Sequence, residues 1–129
     1  MNARDSTKPP FMLPARREHY YGGARHPSLS GAVSAVSTPP PGARLGTASD
    51  GGAAAAARAV TAARAAFAAW RDTPAQKRAQ CIREAAAILR AHADELAWLD
   101  ALDAGNPLQA MRYDVDISAA YMEHFAGLV

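Results

Sequence analysis

The groups in this chain with the reactivity for covalent or acid–base chemistry are few: one cysteine, Cys81, four histidines, His19, His26, His92 and His124, and a close pair of carboxylates, Asp114 and Asp116. A thiolate at Cys81 would be a nucleophile, and Lys77 and Arg78, a helical turn before it, are cations of the kind that favour the anionic sulfur at an exposed helical site. No paired histidine or oxyanion-forming motif follows it, however. With Ile82 as its neighbour, Cys81 reads better as a small apolar packing residue. None of the histidines stand three or four apart, the spacing that sets two metal ligands on one helix face, and they read as helix-surface or loop residues. Asp114 and Asp116 are two apart, so on a helix they do not face each other as an acid and a base must, and attraction to a helix N-terminus is reason enough for them.

Two glycine pairs invite a phosphate-binding reading, Gly22–Gly23 and Gly51–Gly52. Neither fits GxGxxG or GxxxxGKS, and turn and helix-entry roles suffice. Arg58, Arg64 and Arg71 recur near helical spacing and form either a mild anion-attracting strip or a solvated face, of which the second is favoured because isolated surface charges are the norm. No catalytic, cofactor-binding or metal-ligating residue is therefore assigned in this chain from its residues.

Length and composition narrow the classes. A chain of 129 residues, half of them hydrophobic, is long enough for one modest domain. Much of that half is alanine, which promotes helix but buries little area, so the core available to the chain alone is thin. Fourteen Lys and Arg against twelve Asp and Glu leave a net charge of +2 without a basic run, which argues against nucleic acid as a partner. One cysteine forms no internal disulfide, and a reducing, cytoplasmic compartment is expected. Arg16 and Arg17 are not followed by the apolar run of an export signal, and nothing approaches the roughly 20 apolar residues that cross a bilayer, so no membrane partner is expected.

Three regions are expected to position whatever the chain does. Residues 1–18, with Pro9, Pro10 and Pro14 among charged and small side chains, read as a flexible tail. Residues 19–49 read as short strands and Pro/Gly-rich turns: HYYGG from His19, Ala32 to Ser37, and ARLGTAS, with TPPPG at Thr38–Gly42 as a turn or extended connector. Residues 50–129 read as helices. The first, entered near Ser49 or Asp50, places Ala56, Val60, Ala63, Phe67 and Trp70 on one face. Thr73, Pro74 and Gln76 predict a capping box with proline at the first helical position, starting a helix with Ile82, Ala85 and Leu89, flanked by Cys81 and Ile88, inward. A kink or restart is expected over Ala91–Asp94, before Leu96, Leu99 and Leu102 carry the stripe to a cap at Gly105. Asn106, Pro107 and Gln109 repeat the capping logic for a last helix with Leu108, Met111, Val115, Met122 and Phe125 or Ala126 apolar, ended by Gly127. Each such stripe needs a surface to cover it.

The stretch AVTAARAAFAAWRDTPAQKRAQCIREAAAILRAHADELAWLDALDAGNP, from Ala59 to Pro107, resembles the N-terminal part of NAD(P)-dependent aldehyde dehydrogenases. YYGGARHPSLSG from Tyr20 resembles that family's short N-terminal strand and turn, LDALDAGNP its LExLDxGKP with Asn106 in place of the common lysine, and DVDISAAYMEHFAG from Asp114 its DVxxAxxxxxYxAG. TPPPGARLG is a looser counterpart of the family's Asn-Pro-x-x-Gly. The resemblance implies a mostly α chain with a few short N-terminal strands, a partial piece of the Rossmann-like α/β fold, in which residues 50–129 flank a dinucleotide-binding core lying beyond this sequence. It also implies a chemistry, the oxidation of an aldehyde to an acid by thiolate attack, hydride transfer to NAD or NADP, and glutamate-activated water. The thiol, glutamate and cofactor motifs of that chemistry have no counterpart here, so the chain alone is expected to be inactive and to bind no cofactor. Asp103 alone matches a family position, one that in some relatives lends a backbone carbonyl to a structural alkali cation. Homo-oligomers are implied for the whole protein, and association with the missing remainder or a full-length relative for this part. The alternative is a small helical interaction module that docks on a full-length dehydrogenase.

Overall fold

The computed structural model describes residues 12–15, 17–40 and 42–128, so the greater part of the tail expected over 1–18, namely residues 1–11 and 16, lies outside the described residues. Among the described residues the chain forms four short strands, β1 (His19–Tyr21), β2 (Ala24–His26), β3 (Val33–Ser37) and β4 (Arg44–Ser49), and four helices, α1 (Gly52–Asp72), α2 (Ala75–Ala91), α3 (Ala93–Ala104) and α4 (Leu108–Ala126). The fold is mostly helical with a few N-terminal strands, as the sequence leads one to expect. The described residues divide into two compact units, one within 14–37 and 44–73, the other within 12–13, 38–43 and 74–128. The helices expected over 50–129 thus contribute to both.

The first of these units holds the strands and α1. β1 and β2 form an antiparallel hairpin in register His19↔His26, Tyr20↔Arg25 and Tyr21↔Ala24. Sequence reading stops at HYYGG and misses the second arm. The signal is nonetheless present: Gly22 and Gly23 both take positive φ, 60° and 78°, the requirement of a tight two-residue hairpin turn. β3 and β4 pair antiparallel from Val33↔Ser49 to Ser37↔Arg44, with an irregularity at Val36/Ser37. α1 starts from Gly51 as its cap rather than from Ser49 or Asp50, and the Asp50 carboxylate accepts the Gly52 N–H at 3.2 Å. Its buried side is an alanine row: Ala55 is buried, Ala59 and Ala62 are half-buried, and β1 packs here. The larger stripe of Val60, Phe67 and Trp70 is exposed, at 56%, 61% and 47%.

The second unit is built on α2, α3 and α4, with α4 packed against both of the others. α2 turns inward Ala79, Ile82, Ala85, Ala86 and Leu89, matching the centre of the expected stripe, whereas Ile88, expected at its flank, is 63% exposed because it lies one helical step off that row. Its start differs from the expected capping box. Pro74 occupies the cap itself, extended at ψ 138°, and its carbonyl accepts the Lys77 N–H at 2.9 Å. The Thr73 hydroxyl donates back to the Ala69 carbonyl at 2.8 Å. Pro107 does the same for α4, its carbonyl accepting the Ala110 N–H at 2.9 Å. A proline with extended ψ is compatible with a cap because that position is outside the helical dihedrals and needs no N–H of its own. The restart expected near Ala91 occurs at His92, whose N–H reaches the Ile88 and Leu89 carbonyls.

Gly105 ends α3 in the left-handed conformation at φ 76°, its N–H bonded to the Ala101 carbonyl at 3.0 Å. A Cβ there would lie 2.9 Å from Pro39 Cγ, so the turn at Thr38–Gly42 rests against the end of α3. The apolar centre is Ala97, Met111 and Val115, with Ala93, Leu96, Ala101 and Leu108 around it. Along α4 the buried row is Met111, Val115, Ala119 and Ala126; Ala126 turns inward and Phe125 outward, 61% exposed.

Candidate functional site

The chemistry-bearing residues are scattered rather than convergent. Cys81 is exposed, which corrects the expectation of a buried packing residue: it lies one residue off the inward row that Ile82 belongs to, so the helical twist turns it to solvent. The histidines nearest in sequence have other neighbours. His92 Nδ1 lies 3.1 Å from Glu95 Oε2, and His124 meets the Phe125 ring edge-on with centroids 5.4 Å apart.

His19 and His26 are not loop residues but cross-strand partners in the first hairpin. His26 stacks on Tyr21 with centroids 4.0 Å apart, and its Nε2 sits 3.1 Å from the Tyr21 carbonyl oxygen. His19 Nε2 is buried with no hydrogen-bond partner, and a Cβ on Gly51 would lie 2.7 Å from it. These two rings therefore do separate jobs, and among the described residues no three His, Cys, Asp or Glu side chains gather where a metal ion would need them.

Asp114 and Asp116 do not serve a helix N-terminus, because the first turn of α4 carries no acid and both lie about two turns in. Asp116 instead faces α2: Arg90 Nε lies 3.5 Å from Asp116 Oδ1, while Arg90 Nη1 donates to Glu123 Oε1. Hydrogen bonding to Glu123 first, with the charges of Glu123 and Asp116 adding, raises the Arg90 pKa above its ordinary range against a smaller desolvation effect. The sequence signal for this clamp is the seven-residue spacing of Asp116 and Glu123, which puts both on one side of α4. Arg112 Nε similarly donates to Asp94 Oδ1 at 2.8 Å, tying α4 to α3. Both pairs are half-exposed and hold helices together rather than forming a reacting centre.

Arg58 and Arg64 are exposed on α1, and Arg71 is bonded to Asp72 at 2.7 and 3.0 Å. The Asp72 bond raises the Arg71 pKa above its ordinary range. Asp103 is exposed in the last turn of α3.

A groove of about 370 Å³ runs between β1 and the start of α1, lined by His19, Tyr20, Tyr21, Gly51, Gly52 and the small side chains of Ala55, Ala56 and Ala59. It does not suit a dinucleotide phosphate. The Gly52 N–H is already bonded to a carboxylate, whose charge repels an anion, and the His19 ring takes up the space over Gly51. The other glycine pair is the hairpin turn. NAD or NADP thus finds no cradle in these two glycine pairs.

Residues 28–129 match the model of the aldehyde dehydrogenase family. Over 117 residues the chain is 34% identical to the aldehyde dehydrogenase tropH of Talaromyces stipitatus, an alignment covering 91% of this chain and 23% of that protein. The crystal structure of succinate-semialdehyde dehydrogenase from Burkholderia pseudomallei superposes with a TM-score of 0.83 at 36% identity, over 95% of this chain and 25% of that one. A variant of betaine aldehyde dehydrogenase from Staphylococcus aureus, in complex with NAD+, gives 0.83 at 30% identity over 88% and 23%. The chain belongs to the aldehyde dehydrogenase family. It spans about a quarter of the length of these relatives, and its helices and hairpins are a partial aldehyde dehydrogenase fold.

Proposed function

We propose that this chain is the N-terminal supporting portion of a cytoplasmic, NAD- or NADP-dependent aldehyde dehydrogenase, and that the whole protein oxidises an aldehyde to a carboxylic acid. The observation that carries the reading is α4. Its inward row of Met111, Val115 and Ala119 is matched two residues on by Tyr113, Ile117 and Tyr121, about 200° around the helix, so apolar groups occupy both sides. A helix of that kind belongs in an interior with neighbours on two faces. Here one face is covered by α2 and α3 and the other is open, which fits a supporting layer for a larger body. In this reading α1–α4 buttress the dinucleotide-binding domain, and the thiol, the general base and the cofactor are held by the other three quarters of the polypeptide. The aldehyde is chosen there too. Homo-oligomers are proposed for the whole protein, and neither nucleic acid nor a membrane is a proposed partner; no described helix is long and apolar enough to cross a membrane.

The test is a chimera in which this chain replaces the matching quarter of the Burkholderia succinate-semialdehyde dehydrogenase. NAD(P)-dependent oxidation of that enzyme's own substrate should survive within about tenfold, equivalent to about 1.4 kcal/mol in the barrier. Insoluble or inactive chimera, under conditions where the parent enzyme is active, would refute the assignment.

A further inference from the structure

A second groove, of about 220 Å³, lies among α2, α3 and α4, within one compact unit. Its floor is apolar: Leu89 from α2 and Leu96 from α3 are half-buried, and Val115 from α4 is buried. Its rim carries the exposed carboxylates of Asp100 on α3 and Asp114 on α4, with the Ser118 hydroxyl one turn beyond Asp114. The acids of these two helices are not alike. Asp94, Glu95, Asp116 and Glu123 each meet a basic side chain. Asp100 and Asp114 form no ion pair among the described residues, and they are the two that line the groove.

Two unneutralised carboxylates over one hollow favour a cation and disfavour an anion. A hard metal ion is a poor match, because calcium takes roughly six to eight oxygen ligands, and among the described residues no three His, Cys, Asp or Glu side chains gather to supply them. The apolar floor suits a cation that carries its own hydrocarbon, much as a lysine stem lies along apolar surface while its ammonium stays at the water. Size limits that cation. A volume of about 220 Å³ is below the roughly 300–1,000 Å³ of sites that hold drug-sized ligands, so the groove takes a stem of a few carbons and nothing as large as a dinucleotide. We infer that it binds a small free alkylammonium ion, with the stem on Leu89, Leu96 and Val115 and the ammonium at Asp100 and Asp114. The site rests on these side chains alone and not on the role proposed above for the whole protein.

Butylammonium chloride is titrated into the 129-residue chain, and the methyl resonances of Leu89, Leu96 and Val115 are followed by NMR. Saturable shifts of these methyls at millimolar amine are expected. The affinity should fall about two- to fivefold with either Asp100→Asn or Asp114→Asn, and should fall further as sodium chloride is raised from about 0.05 to about 0.5 M. Asp72→Asn, in the other compact unit, should leave it unchanged. 1-Butanol, a stem without charge, and ammonium chloride, a charge without stem, should each bind more weakly by about fivefold or more. All three substituted positions are exposed, and far-UV circular dichroism verifies that each variant keeps the parent's helix content. The inference is overturned by the absence of saturable shifts, by butanol acting as butylammonium does, or by asparagine variants at positions 100 and 114 that bind like the parent. Shifts with a lysine-containing peptide and none with butylammonium would overturn it too, making the groove a docking point for a protein. An inactive chimera would remove the family role and leave this result untouched.

Discussion

Gly105 and Arg90 show how single residues hold this chain together by different means. At Gly105 the constraint is steric. Its φ of 76° is costly for any residue with a Cβ, and that Cβ would come within 2.9 Å of Pro39 Cγ. Gly105→Ala should therefore lower unfolding free energy by about 1–2 kcal/mol, read from urea denaturation followed by circular dichroism; an unchanged midpoint would show that the Thr38–Gly42 turn does not rest on this cap. At Arg90 the constraint is electrostatic. Its raised pKa, due first to the Glu123 hydrogen bond, means that its stabilisation is fully present below the ordinary guanidinium range and is lost only as pH rises through the still higher folded value. Between neutral and mildly alkaline pH the clamp should thus not titrate at the arginine. Salt is the lever that acts on a half-exposed pair. The stability gap between the parent chain and Arg90→Met should shrink steadily as sodium chloride is raised from 0.05 to about 0.5 M, and a gap that ignores salt would assign Arg90 a packing role instead.

Among the elements, α2 and α4 approach through alanines: Ala79 and Ala86 on one, Ala119 and Ala126 on the other, with Ala86 and Ala119 fully buried. Small side chains let backbones come close, and Ala119 at 0% exposure has no solvent-facing side into which a larger one could turn. Ala119→Leu should cost about 1–3 kcal/mol by overpacking, visible as a lower thermal midpoint, while Ala120→Leu, one residue round on an exposed position, should leave it unchanged. How far these elements were legible in the sequence depends on what kind of signal each leaves. Gly105 as a cap, the restart at His92 and the inward Ile82–Leu89 row follow from local backbone chemistry and helical period, and all three occur. The proline starts were displaced by one residue because TPAQ and NPLQ fit a cap at the threonine or asparagine and a cap at the proline equally well. The Val60–Phe67–Trp70 stripe was grouped on one face, yet periodicity says only which residues share a side. That alanine rather than phenylalanine faces β1 depends on how closely the hairpin and helix can approach, which no window of sequence contains. Cys81 differs from its sequence expectation for the same reason, a single helical step deciding between interior and solvent.

For the whole molecule, the open faces predict how the chain behaves by itself. Among the described residues the buried set is mostly alanine and includes no large side chain that is fully enclosed, while three aromatics on α4 and two on α1 stay exposed. Alanine contributes little transfer free energy, so the described helices have much secondary structure relative to the apolar area that fixes their packing. The isolated chain should accordingly show strong far-UV helical signal together with binding of the dye ANS. It should give no NAD(P)-dependent aldehyde oxidation above blank, because turnover requires nucleophile, base and cofactor held in one geometry. The decisive control is Cys81→Ser. If the isolated chain oxidises an aldehyde and this substitution abolishes it, the exposed thiol on α2 is a catalytic nucleophile and the supporting role is wrong; if the substitution changes neither ANS binding nor the activity of the chimera, Cys81 is a bystander on a helix whose work is done by its other face.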